Sequence, residues 1–180
     1  MRLFVAITLS EEVRDGLLKA IEDLKEASVR GNFTQQQNLH LTLVFIGETD
    51  KAKDAMRALD SVCAPPVELA FRGLGSFRRP GGSLFWIGAG SNPALAELYR
   101  RCYAEISKAG FTPENRAFKP HLTLGREVVI KDGFDPNKVS ADIPTMRMTA
   151  EKISLMKSER LGGRLVYTEI YARALTGAKV

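Results

Sequence analysis

The chain alternates between two periods of hydrophobicity, one suited to strands and the other to helices. Residues 2–8 (RLFVAIT) are rich in strand formers, and Ser10 follows as an N-cap with Glu11 and Glu12 in the first turn of a helix. Val13, Leu17, Ile21 and Leu24 then recur at helical spacing as one apolar stripe. A polar loop at 31–38 (GNFTQQQN) leads to a predicted strand over 39–46, then to a second helix over 51–63 that Pro65 and Pro66 end. Residues 67–77 (VELAFRGLGSF) and 84–89 (LFWIGA) read as strands joined by an RRPGGS loop, a hairpin candidate. From Pro93, the positions Leu95, Leu98, Cys102 and Ile106 mark another amphipathic helix, closed by Gly110. A short strand is predicted over 121–124 behind Pro120, followed by a loop-like stretch with Gly133 and Pro136. The tail returns to strands over 146–157 and 164–174, separated by the hairpin signal Leu161-Gly162-Gly163.

The order strand, helix, strand occurs twice, and each time the second strand carries His-Leu-Thr-Leu. This near-repetition predicts an α+β fold of two related lobes with antiparallel sheets. The expected organisation is a single domain over 1–180, built of repeats at roughly 1–78 and 83–175.

His40 and His121 are the two histidines of the chain, and both are followed by Leu-Thr-Leu. From average usage, that sequel to a given His has a probability on the order of 10⁻³ or less. On a strand, side chains alternate, so His40 and Thr42 share one face while Leu41 and Leu43 share the other, and His121 to Leu124 repeat the arrangement. The leucines can anchor each strand in a core, leaving one imidazole and one hydroxyl per lobe facing the space between the lobes. Phosphodiester cleavage needs one group to take a proton from water and another to give one to the departing oxygen, and histidine does either near neutral pH. In-line displacement places attacking and leaving oxygens on opposite sides of phosphorus, which two pseudo-symmetric lobes can flank. This reasoning leaves open which histidine is acid and which is base. Thr42 and Thr123 can donate hydrogen bonds to non-bridging oxygens. Arg126 lies five residues after His121, and strict alternation points it away. Gly125 and the strand's end can let it swing to the phosphate, and it is the expected clamp.

Composition narrows the alternatives. Apolar residues make up 44% and charged residues 26% of the 180, an ordinary globular balance that excludes a wholly disordered chain. No secretory leader is read at the start, and no apolar run approaches the roughly 20 residues of a spanning helix. Cys63 and Cys102 lie in helical patterns far from any C-x-x-C spacing, so a disulfide framework, zinc knuckle or cysteine nucleophile is not expected. A reducing, cytoplasmic setting and a monomer are the expectations. The histidines lack an acidic or cysteine partner at ligand spacing, so neither metal nor cofactor is expected. Gly73-Leu74-Gly75 is a lone G-x-G with no helix after it and makes no dinucleotide site. The net charge of +5 and pI near 9.3 favour an anionic partner. Local basic clusters comprise Arg72, Arg78 and Arg79 near one turn and Arg160 and Arg164 at another. Trp86 and Phe118 are candidates for base stacking, with core packing the expected fate of each.

With these residues in view, the chain resembles the two-histidine (2H) phosphoesterases, and within them the bacterial and archaeal RNA 2',3'-cyclic phosphodiesterases, also called 2'-5' RNA ligases. The likeness rests on MRLFVAI, NLHLTLVFIG, LFWIGAG, FKPHLTLGR and the tail LMKSERLGGRLVYTEIYARAL. It implies a bilobal, pseudo-twofold fold with both histidines in a central cleft. It further implies His40 as the acid that protonates the leaving 3'-oxygen, His121 as the base that activates water, and a 2'-phosphate product. Arg126 matches the Arg that follows the second block in this subgroup, whereas Gly47 and Glu48 follow the first. Gln35, Gln36 and Gln37 stand where many relatives carry a Trp and a Pro. The implied substrate is RNA ending in a 2',3'-cyclic phosphate, such as a tRNA fragment, or a cyclic nucleotide, with 2'-5' ligation as the reverse reaction. A binding module that holds RNA ends or nucleotides in the same cleft without turnover is the alternative from another class.

Overall fold

The computed structural model describes residues 1–177. The strands are β1 (Arg2–Thr8), β2 (Ser28–Phe33), β3 (His40–Glu48), β4 (Val67–Phe77), β5 (Ser83–Gly88), β6 (His121–Ile130), β7 (Met146–Ala150), β8 (Lys152–Leu161) and β9 (Arg164–Ala174). The helices are α1 (Glu11–Glu26), α2 (Ala52–Asp60), α3 (Pro93–Lys108) and α4 (Pro136–Asp142). Two antiparallel sheets result, one ordered β3-β1-β8-β9 and the other β2-β6-β5-β4-β7. The fold is α+β and bilobal, as expected.

Local signals account for the helices. The Ser10 hydroxyl accepts the Val13 N–H at 3.4 Å, and Val13, Leu17, Ile21 and Leu24 are all buried. Asn92 caps α3 by accepting the Leu95 N–H at 3.0 Å, and Leu95, Leu98, Cys102 and Ile106 line its buried side. Each fully buried leucine contributes about 1.5–3 kcal/mol relative to exposure. The helices cross over between the sheets. After β1 of the four-stranded sheet, α1 packs on β2, β6 and β7 of the other, and after β5 of the five-stranded sheet, α3 packs on β3. The paths β1-α1-β3 and β5-α3-β6 are therefore equivalent, since β1 pairs with β3 and β5 with β6. Both sheets draw strands from both halves of the sequence, so neither repeat forms a sheet by itself.

Four local expectations change. The stretch expected as polar loop begins inside β2, an edge strand on β6 whose single buried residue, Ser28, gives no hydrophobic alternation to read. The strand predicted over 121–124 continues to Ile130, and the loop-like region after it contains α4, which Pro136 opens. The strand predicted over 146–157 is two strands. β7 pairs with β4 in one sheet and β8 with β1 and β9 in the other, the chain changing sheets at Glu151.

Candidate active site

β3 and β6 deliver the histidines in the same way. Each strand begins at its histidine, with His and Thr half-buried and the intervening leucines buried: Leu41 and Leu43 in one, Leu122 and Leu124 in the other. The leucines hold the strands in the common core. β3 and β6 pack against each other, and His121 is close enough to act electrostatically on His40.

The pairing register explains Arg126. Ala6 pairs with Thr42 but Val5 with Val44, and Trp86 pairs with Thr123 but Phe85 with Gly125. Each histidine strand thus carries one extra residue immediately after its threonine, a bulge at Leu43/Val44 and at Leu124/Gly125. Both bulge residues are buried, and the residue after them returns to the cleft side. In β6 that residue is Arg126, which acts electrostatically on His40, His121 and Tyr167. In β3 it is Phe45, and the Arg116 guanidinium lies over its ring, 5.2 Å from the centroid. Sequence reasoning missed Arg116, which sits before the second histidine block with no motif to mark it. Gly125 has a steric role, since a Cβ there would lie 2.9 Å from Val128 and 3.1 Å from the Phe33 ring.

Each imidazole is oriented by its own strand. His40 Nδ1 donates to the Asn38 carbonyl at 2.7 Å, and His121 Nδ1 donates to the Lys119 carbonyl at 2.6 Å. A carbonyl can only accept, so Nδ1 carries the proton in both rings and Nε2 is left for chemistry. His40 Nε2 accepts the Thr42 hydroxyl at 2.9 Å. Asn38 is buried because its side chain ties this strand to β9. Its Nδ2 donates to the Leu165 carbonyl at 2.8 Å and its Oδ1 accepts the Tyr167 N–H at 3.1 Å. It positions the carbonyl that orients His40.

Aromatic rings wall both histidines. His40 lies 4.9 Å from Phe4 and 5.0 Å from Tyr167, on a small apolar cluster of Phe4, Ala6 and Met156. His121 lies 6.0 Å from Phe77 and 6.1 Å from Trp86. Phe4, Phe77 and Tyr167 escaped sequence analysis because long-range pairing alone brings them to the cleft. Trp86, expected in the core, stands half-buried on the cleft side. Gly75 makes room for it, since a Cβ there would be 2.2 Å from the indole, which gives the G-x-G segment a packing role. Phe118 stacks on Tyr99 at 4.2 Å against the core, as expected.

These surroundings set the protonation states. Burial, opposed by the Asn38 carbonyl and assisted by the positive charge of Arg126 and by His121, lowers His40 to about 4. Burial likewise lowers His121, opposed by the Lys119 carbonyl and assisted by Arg126 and Arg116. Burial pushes the Cys102 thiol up to about 12, as suits a small core residue. Among the described residues no three His, Cys, Asp or Glu side chains gather to hold a metal ion, and no helix is long and apolar enough to cross a membrane. The turn arginines Arg78, Arg79, Arg160 and Arg164 stand at the hairpin ends, with Arg160 donating to the Gly163 carbonyl at 3.2 Å.

The depressed histidines predict an acid weakness. Because His40 binds its proton near pH 4 when folded and near 6.5 when unfolded, its contribution is complete above about 6.5 and is lost as pH falls toward 4. The loss is on the order of 3 kcal/mol. Urea unfolding of the wild type at pH 7.0 and pH 4.8 should show much of this fall, and His40→Gln should flatten it. Equal slopes for the two proteins would contradict the assignment.

The chain has clear relatives. Residues 13–162 match the 2'-5' RNA ligase superfamily. The chain is 28% identical to the RNA 2',3'-cyclic phosphodiesterase of Thermotoga maritima over 100% of this chain and 98% of the relative. It is 30% identical to that of Methanothermobacter thermautotrophicus, covering 94% and 96%. Among solved structures, apo LigT of E. coli superposes with a TM-score of 0.79 at 27% identity over 97% of both chains. Its complex with 3'-AMP gives 0.79 at 27%, over 97% of this chain and 98% of that one. With a matching fold, a family match whose range includes both histidines and similarity along nearly its whole length, this chain belongs to the 2'-5' RNA ligase superfamily.

Proposed function

We propose that this protein is a metal-independent RNA 2',3'-cyclic phosphodiesterase that opens a terminal 2',3'-cyclic phosphate to a 2'-phosphate. The observation that carries the reading is the duplicated His-x-Thr pair, on β3 and β6 of one cleft, with each Nδ1 anchored to a backbone carbonyl. Names of relatives support the substrate class, as does the 3'-AMP complex of LigT. In this reading His121 Nε2 takes a proton from water as its oxygen bonds to phosphorus. The P–O3' bond breaks, and His40 Nε2 delivers a proton to O3'. That division of roles follows the family resemblance. His40 is neutral in the free protein at pH 7, so it gains its proton with the substrate, whose negative charge opposes the effects of burial and of Arg126. Thr42, Thr123 and Arg126 donate hydrogen bonds to the non-bridging oxygens as charge develops there.

The reading places the whole chain in one domain, as a cytoplasmic monomer acting on RNA ends, such as tRNA fragments, or on cyclic nucleotides. Run in reverse, with a 5'-hydroxyl in place of water, the same chemistry forms a 2'-5' linkage, in keeping with the superfamily's description. The test is incubation of the wild type, with and without chelator, with an oligoribonucleotide ending in a 2',3'-cyclic phosphate. The expected product is a 2'-phosphate at equal rates in both arms. A 3'-phosphate would exchange the histidine roles, and stoichiometric binding without product would establish the binding module instead.

A further inference from the structure

The sheet face that carries His121 continues well past it. His121 pairs with Gly88 of β5, and Gly88 pairs with Arg72 of β4. Directly paired residues of antiparallel strands project to one side, so Arg72 stands on the cleft side, two strand spacings or about 10 Å from His121. Gly88, between them, has no side chain of its own, and the edge of the Trp86 ring reaches over it, 3.3 Å from where a Cβ would stand. Two residues along β4, Ala70 pairs with Arg147 of β7, which brings a second guanidinium to the same side. Arg72, Arg147, Ser91 and Thr149 line a groove of about 510 Å³, bounded at its far end by Glu68.

The charges here differ from those on the outer helices. Arg57 pairs with Asp54, and Arg100 and Arg101 pair with Glu97. Arg72 and Arg147 are exposed and have neither an ion pair nor a side-chain hydrogen bond among the described residues. Two unpaired guanidiniums in a groove about 10 Å along the same sheet face from His121 match the repeating charge of a nucleic-acid backbone.

We propose that this groove holds the RNA strand adjoining the terminal nucleotide, with Arg72 and Arg147 on its backbone phosphates. The proposal rests on the function given above and narrows the substrate to an oligonucleotide end. It is tested first by binding, which needs no turnover. A fluorescent oligoribonucleotide with an unreactive 3'-hydroxyl end is titrated into the wild type, into Arg72→Glu/Arg147→Glu, and into Arg57→Glu/Arg100→Glu as a control of equal charge change. The groove variant should bind at least about 10-fold more weakly than the control, and milder Arg72→Ala/Arg147→Ala should lower the slope of log affinity against log salt by about 1.4. Equal affinities for the groove and control variants would overturn the proposal. A kinetic arm compares cyclic-phosphate-ended oligonucleotide with mononucleoside 2',3'-cyclic phosphate. The ratio of their kcat/KM values should fall about 10-fold in the groove variant through the oligonucleotide KM, with Arg72→Lys/Arg147→Lys restoring much of it, and an unchanged ratio would also overturn the proposal. Absence of hydrolysis by the wild type would defeat the catalytic reading alone, because the binding arm still decides the groove.

Discussion

Replacing His40 or His121 by Ala is expected to lower kcat for a 2',3'-cyclic phosphate by about 10²–10⁴-fold each, the range of a positioned acid or base. The double variant should be little worse than the poorer single one, because proton removal and delivery act on one transition state and their losses do not add. The variants should differ in pH dependence. The acid limb of the rate profile belongs to the base, which must be unprotonated, so His121→Ala should lose that limb and His40→Ala the alkaline one. Single-turnover rates across pH 4–9 on the refolded variants provide the check. Near-wild-type rates in both variants would end the enzymatic interpretation.

The second large effect is expected at Arg126. Arg126→Ala should lower kcat by about 10²–10³-fold, comparable with removal of one oxyanion donor. Arg126→Lys should recover only part of it, since an ammonium cannot present a two-pronged donor to phosphate oxygens. A purely structural role would not produce the accompanying pH signature. Arg126 holds both His40 and His121 down through its positive charge, so its removal must raise both. The acid limb of the rate profile should therefore move to higher pH in Arg126→Ala. A fall in rate with an unmoved limb would place Arg126 outside the electrostatic reach seen in the structure.

Arg116 and Phe45 give the first half-site a different character from the second. At the position equivalent to Arg126 the chain places an aromatic ring, and the cation over it arrives from the segment ahead of β6, where Glu114 also pairs with it at 3.3 Å. The two halves share the bulge and the imidazole anchor, but they meet a substrate with different donors. Such asymmetry suits a reaction in which one histidine gives a proton and the other takes one.

Local chemistry is legible in the amino-acid sequence. The two His-x-Thr pairs, the caps at Ser10 and Asn92, the apolar stripes of α1 and α3, and the glycine turn between β8 and β9 depend on near neighbours, which the sequence displays at fixed spacing. Arg126 was legible as a candidate, although its direction was not, since alternation along a strand says nothing of where a partner strand inserts a bulge. Only pairing between distant segments decided that, and the same pairing brought Phe4, Tyr167 and Phe77 to the histidines and split β7 from β8. β2 and α4 were missed because an edge strand and a single short helix need little buried surface, and leave little periodicity. The depressed titration of His40 was likewise a tertiary outcome. An imidazole becomes hard to protonate when other parts of the chain exclude water from it, and the amino-acid order names the imidazole without naming what covers it.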